Sequence, residues 1–477
     1  MNKSLVSAPL WKQRTAIVDA STQVQREPGL IATAVFLVAH LFLGVALYLS
    51  DELATLHALA TIGIGVLWAL IGNKPERIAC VAAYIAGAEV LWRMTSANIF
   101  YESGKYAIVL VFGVAMLRQR QFKWHFLPIL YFLLLVPSVV LTILNLSLSE
   151  ARTVLSFNLS GPLALAVCAS FFSYFAVTHH GRRQVFLALI GSAVSIAAAT
   201  LFATMTTPDL VFTGDSNPVT SGGFGPNQVS SVLGLGAFVT FFYLLQSRGS
   251  RAFKTLLLAT MVLLITQSAM TFSRGGLVGA VGALVPAIPF LLKDKGARLK
   301  LVGLAILLSI VAIFIVLPRL NAFTGGALEA RFRDTNTTHR DRLARADIEL
   351  WQEHPLFGVG PGRSGDMRNL DMRGLSAHTE LTRLLAEHGT LGLGALLALL
   401  LMGVQSIRLA PASLDRGFTI ALVSWALLYM LHAAMRLAAP AFIFGLAMAN
   451  LEEQQKIVQP SRTLPYSTRI SHFHNIH

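Results

Sequence analysis

Between Leu30 and Asn450 this chain is written in apolar blocks about 20 residues long, most of them closed by a short polar connection. A hydrocarbon core about 30 Å thick needs about 20 residues of helix to cross it. Inside that core only a helix or a closed barrel satisfies its own backbone hydrogen bonds. A water-soluble globule is excluded: 54% of the 477 residues are hydrophobic, 13% are charged, and the mean hydropathy is +0.62. The blocks fall at 30–50, 53–72, 78–92, 104–117, 126–145, 153–178, 184–205, 228–246, 255–271, 275–292, 301–317, 389–407, 417–434 and 437–450. The third, fourth and last are short, so the expectation is an all-α polytopic membrane bundle of about 12–14 transmembrane helices. A cleavable signal peptide is not expected, because the first 29 residues are polar and hold Lys3, Lys12, Arg14 and Arg26.

Charge sets the orientation. With a cytoplasmic N-terminus, alternate connections and both termini hold 23 of the 38 basic residues. The short connections on the other side hold five: Arg93, Lys105, Arg152, Arg274 and Arg436. The net charge of +14 is therefore mostly the positive-inside bias, and no basic run interleaved with aromatics points to nucleic acid. The expected division is a cytoplasmic segment 1–29, spans over 30–317, a large loop 318–388 on the side opposite the cytoplasm, spans over 389–450 and a cytoplasmic tail 451–477.

That loop is the one long polar island. It carries ten arginines, ten acids and no lysine. Lysine solubilises as well, but only arginine offers a planar fork for two phosphate oxygens. Apolar positions 343, 346, 350 and 351 suit an amphipathic helix in 338–355, stopped by Pro355 and an irregular turn at GVGPG, 358–362. The turn is not a nucleotide loop, since no strand precedes it. Ser376 is the expected N-cap of a second helix, which puts His378 in its first turn and Glu380, Arg383 and Glu387 on a charged face. In that position the helix dipole would keep the imidazole neutral and able to take a proton. For most of the island arginines a solvated helix face is expected, with pairs such as Arg345 to Glu349.

Two further segments of the same side break the apolar pattern: 206–228, ending GFGPNQ, and TFSRGG at 271–276. An arginine at bilayer depth costs about 2.5–3.5 kcal/mol on insertion scales, so Arg274 needs a partner or a task. The glycines after it let a polar headgroup approach the backbone. Cys80 and Cys168 lie within apolar blocks and read as small hydrophobes. The terminal His472, His474 and His477 are too sparse for a metal site, and no HExxH, paired-Cys or Asp-x-Asp constellation occurs. No metal and no cofactor are expected.

In this order the pieces resemble the O-antigen ligase and polysaccharide polymerase superfamily of bacterial inner-membrane glycosyltransferases. They are Pro226-Asn227, Ser273-Arg274-Gly275-Gly276, Arg340 followed by EHPLFGVGPG at 353–362, His378 opening HTELTRLLAEHG, Gly392 and His432. The likeness covers roughly 220–450. It implies a bundle similar to the GT-C type and an undecaprenyl-diphosphate-linked glycan used on the periplasmic face without a metal. The acceptor would be a glycan or lipid A core. By the same resemblance His378 is the general base and Arg274 and Arg340 hold the diphosphate, with Arg342 beside them and Asn227, Ser273 and Gly275 in support.

The competing class is a transporter or flippase of a polysaccharide precursor. It would place ionisable residues at the bilayer midplane, where Glu89 is the one candidate.

Overall fold

The computed structural model describes residues 29–119, 122–334, 340–368, 370–375, 377–411, 413–449 and 451–452. The terminal segments expected at 1–29 and 451–477 thus fall almost wholly outside the described residues, and Ser376 lies outside them too.

The chain opens with α1 (Leu30–Leu49), α2 (Asp51–Ile71), α3 (Pro75–Met94) and α4 (Ser103–Leu117). The short α5 (Phe126–Leu133) and α6 (Val139–Asn145) follow. Then come α7 (Leu148–Tyr174), α8 (His179–Thr206), α9 (Pro226–Gln246) and α10 (Arg251–Met270). Next, α11 (Gly275–Leu291) and α12 (Lys295–Phe323) lead into the island, which holds α13 (Ala327–Arg333) and α14 (Arg340–Glu353). The last three are α15 (Glu380–Leu409), α16 (Ser413–Ala433) and α17 (Ala438–Ala447). Among the described residues nine helices are long and apolar enough to cross a membrane: α1, α2, α7, α8, α9, α10, α12, α15 and α16. The bundle is all-α and polytopic, as the blocks imply. One two-residue parallel pairing, Val177 to Leu451 and Thr178 to Glu452, is its only ladder among the described residues.

Two blocks differ from the expectation. The apolar run 126–145 is not one helix, because Pro137 lacks an N–H and its ring clashes with the preceding turn, so α5 ends and α6 starts anew. The last block yields only the ten residues of α17, buried between α7 and α16.

The connections gather in two groups at opposite ends of the bundle. At one end Arg182 pairs with Asp415 at 3.1 Å, Lys300 donates to the Leu245 and Ser247 carbonyls, and Val177 meets Leu451. At the other, Asn217 N–H donates to Thr271, Arg93 donates to the Tyr101 and Arg436 carbonyls, and Ala434 N–H donates to His378. Glu89 belongs to this second end, where it pairs with Arg93 at 2.6 Å and accepts from Ala438 N–H. It is thus a buried structural anchor, and not the free midplane charge a transporter would use.

α9 forms the heart of the bundle, against α8, α10 and α11. It approaches α11 so closely that a Cβ on Gly276 would stand 1.9 Å from the Ser230 carbonyl oxygen. Small residues permit such approach between membrane helices. This crossing fixes the connection that carries Arg274. By contrast, no residue in the apolar window of α12 is buried, which suits a helix solvated by lipid.

Candidate functional site

The connection between α10 and α11 is held from below by hydroxyls. Ser230 Oγ donates to the Ser273 carbonyl at 2.9 Å and accepts from Gly276 N–H at 3.2 Å, while Ser273 Oγ donates to Asn227 Oδ1 at 2.7 Å. Asn227 and Ser273 therefore lock this turn to the N-terminus of α9. Phe272 is fully buried with φ of 56°, a left-handed conformation that is strained for a bulky side chain. Gly275 lies under His432: a Cβ there would stand 2.7 Å from its Nε2. The His432 Nδ1 donates to the Leu428 carbonyl at 2.9 Å, leaving Nε2 as the acceptor nitrogen, 3.3 Å from Ser231 Oγ.

Above this turn lies α14, whose buried stripe is Leu343, Asp347 and Leu350. Arg340 precedes Leu343 by three residues and Asp347 by seven, so it shares that stripe; Arg342 does not, and is exposed. Asp347 anchors the helix through Arg368 at 2.5 Å and Thr382 Oγ1 at 2.9 Å. Arg331, Arg368 and Arg383 are buried too, so the solvated face expected for the island arginines fails for these three. Arg345 is exposed, as expected.

The second island helix starts later than its sequence suggests. Thr379 is the cap of α15, its Oγ1 accepting from Thr382 N–H at 3.2 Å, and His378 lies just before the helix. Nor do Glu380, Arg383 and Glu387 face water. They are 0%, 5% and 1% exposed, with Arg383 bridging Glu380 at 2.5 Å and Glu387 at 2.7 Å. Spacings of three and four residues let one guanidinium reach both carboxylates, which makes burial tolerable. At Gly389 (φ 60°) the helix kinks, and the GVGPG turn fills the gap. There Val359 and Gly360 N–H donate to the Ala386 and Glu387 carbonyls, and Thr390 N–H to Pro355.

The connection between α16 and α17 is tied at almost every residue. Ala434 N–H donates to the His378 carbonyl, Met435 N–H to Glu380, Ala438 N–H to Glu89, and the Arg436 carbonyl accepts from Arg93. This frame presents the Arg436 side chain, whose Nη2 donates to the Ala377 carbonyl at 2.8 Å.

Four arginines and two histidines converge there. Arg274 donates to the Asp334 carbonyl. Arg331 donates through Nε to the Phe272 carbonyl at 3.0 Å, and its Nη1 lies 3.6 Å from the Asp334 carboxylate. Arg340 makes no hydrogen bond to a described residue, and its Nε is buried without a partner. Burial and the like charges of Arg274, Arg331 and Arg436 hold its guanidinium below the usual arginine range. The His378 imidazole also makes no hydrogen bond to a described residue. Burial, then Arg436, Arg340, His432 and Arg368, lower it to about 4. Such a constellation is suited to a multiply charged anion with a neutral imidazole beside it.

Of the residues singled out in the sequence, Arg274, Arg340 and His378 come together, Asn227, Ser273 and Gly275 build the floor, and Arg342 stays outside. Arg331 and Arg436 were missed. Arg436 follows His432 by four residues in a connection too short to solvate it, which was the available signal.

Part of this polytopic helical chain matches a known family. Residues 259–397 match the family described as O-antigen ligase, a segment running from α10 through the island into α15. The match is consistent with the O-antigen ligase and polymerase superfamily, and at the family level it supports an O-antigen ligase-type membrane glycosyltransferase. It contains Arg274, Arg331, Arg340 and His378 but neither Asn227 nor Arg436. No curated protein matches the chain.

Proposed function

We propose that the protein transfers a glycan from an undecaprenyl-diphosphate-linked donor to a hydroxyl of an acceptor glycan or lipid A core, at the periplasmic face of a bacterial inner membrane. The observation that carries this reading is Arg340, half-buried among like charges with its Nε unpartnered, and beside it a neutral His378 whose imidazole makes no hydrogen bond to a described residue. An unpaired buried donor costs about 1–3 kcal/mol, which a binding anion would relieve. The acceptor oxygen attacks the anomeric carbon as its proton passes to the His378 imidazole. The bond from that carbon to the diphosphate oxygen breaks, and its electron pair leaves on the diphosphate, where Arg274, Arg340 and Arg436 offset the growing charge.

Cations must do this work, and arginines can do it without a metal. Among the described residues no three His, Cys, Asp or Glu side chains are grouped to hold an ion. In proteoliposomes supplied with a lipid-linked donor and an acceptor, transfer is expected to persist in excess chelator. Loss of transfer, restored by one divalent metal, overturns the arginine mechanism. Sidedness is tested separately. A reporter fused at Gly365 is expected to read as periplasmic, and fusions at Lys295 and Gln455 as cytoplasmic. A cytoplasmic signal at Gly365 removes the site from the compartment proposed.

A further inference from the structure

Beside the cationic cluster lies a cavity of about 500 Å³ with a mixed aromatic and polar lining. It opens between the outer ends of α4 and α7 and the island, and its lining includes Tyr101, Glu102, Phe157, Asn158 and Asp366. Arg436 and Ala377 form the wall it shares with the cluster, and His378 follows Ala377 directly. We infer that this cavity is the acceptor site and that it takes a neutral saccharide, a reading that rests on the glycosyl transfer proposed above.

The lining gives the ligand class. The rings of Tyr101 and Phe157 stand 6.0 Å apart and 34° from parallel, and the Arg93 guanidinium covers one Tyr101 face at 3.7 Å. The Arg93 guanidinium is itself fixed by Glu89 and the Tyr101 carbonyl, so the aromatic wall is held in place. Aromatic faces receive the apolar C–H faces of a sugar ring. Carboxylates and an amide receive its hydroxyls, since an ionised carboxylate only accepts and a hydroxyl donates. Glu102 and Asp366 offer carboxylates to the cavity, whereas Glu380 and Glu387 are bound by Arg383, which lines it together with Arg436. The two neighbouring sites thus differ in what they offer: the cluster gathers arginines for an anion, and the cavity sets aromatic faces beside hydrogen-bond acceptors for a polyhydroxyl. The volume lies within the range of about 300–1,000 Å³ that holds small ligands. A divalent cation is the other occupant that Glu102 and Asp366 suggest, but no metal-sized grouping of ligands occurs among the described residues.

The test uses the full chain in lipid nanodiscs and two probes. One is inorganic pyrophosphate. The other is the tagged oligosaccharide released by mild acid from the source organism's envelope. Thr153 lines the cavity and is exposed, so Thr153→Trp fills it, while Phe157→Ala removes one ring. Both variants are expected to raise the oligosaccharide Kd about tenfold or more, the effect of losing one well-packed contact. They should bind pyrophosphate as the wild type does, which also reports that they are folded. Arg340→Gln is expected to do the reverse. Absence of saccharide binding by the wild type, or wild-type affinity in both cavity variants, overturns the acceptor site. Saturable Ca²⁺ binding lost in Asp366→Asn, without saccharide binding, overturns it in favour of a cation. If Arg340→Gln leaves pyrophosphate binding intact while Thr153→Trp abolishes saccharide binding, the cavity assignment stands and the diphosphate reading falls.

Discussion

His378→Ala is expected to lower glycan transfer by about 10²–10⁴-fold, the usual cost of losing a general base, while the protein accumulates and binds the donor normally. The separation of effects follows from geometry. The imidazole makes no hydrogen bond to a described residue, and the contact that ties this position to Ala434 runs through the backbone carbonyl, which alanine keeps. Truncation therefore removes the proton acceptor without cutting the frame. Single-turnover rates and donor affinity, measured on the same preparation, decide the matter. A variant that fails only because it no longer accumulates makes His378 a packing residue, and a variant that stays active passes the proton to water or to the substrate.

The acidity of His378 sharpens this expectation. Burial and the surrounding arginines lower its imidazole to about 4. It acts as a base only when neutral, so kcat/KM, which reports the free enzyme, should keep its acid limb down to about that pH. A bound diphosphate cancels part of the arginine charge and raises the imidazole pKa. The acid limb of kcat, which reports the loaded enzyme, should then lie at higher pH than that of kcat/KM. Arg436→Gln removes the largest of the charge contributions and should shift the kcat/KM limb upward. Coincident limbs in wild type and variant would mean that the titrating group is not His378.

Much of the bundle is legible from sequence because the bilayer leaves the chain few options: apolar blocks of spanning length must be helices. The break at Pro137 was legible in principle, since a proline within an apolar run removes a helix hydrogen bond, but block composition alone does not register it. The start of α15 falls at Thr379 and not at the expected Ser376, and that shift decides whether His378 is inside the helix. Polarity also misled at Glu380, Arg383 and Glu387. A guanidinium that bridges two carboxylates lets all three be buried, and nothing in the residue types says which way they face. The helical period, by contrast, separates Arg340 from Arg342 without any structure. What no local pattern supplies is Arg436, because its place beside His378 depends on a connection more than 50 residues away, folded back by Glu89, Arg93 and Glu380.

Arg340→Gln is expected to reduce transfer by about 10²–10³-fold, as loss of one donor to a developing anion does, and at the same time to raise thermal stability. The two effects have one origin. Arg340 is partly buried, its Nε has no partner, and its electrostatic neighbours Arg274, Arg331 and Arg436 carry the same charge. A group in that position strains the folded state, and removing its charge relieves repulsion and desolvation together. With diphosphate bound the sign reverses, because the same charge is then paired. Adding pyrophosphate should therefore raise the Tm of the wild type more than that of the variant, through ordinary linkage between binding and folding. Arg340→Lys separates charge from shape. It keeps the cation but loses the fork, so it should regain little of the transfer rate. A structural arginine would show the opposite pattern, with Tm and activity falling together. If Arg340→Gln melts lower than the wild type with no ligand present, the guanidinium holds the fold and the anion must be gripped by the other arginines.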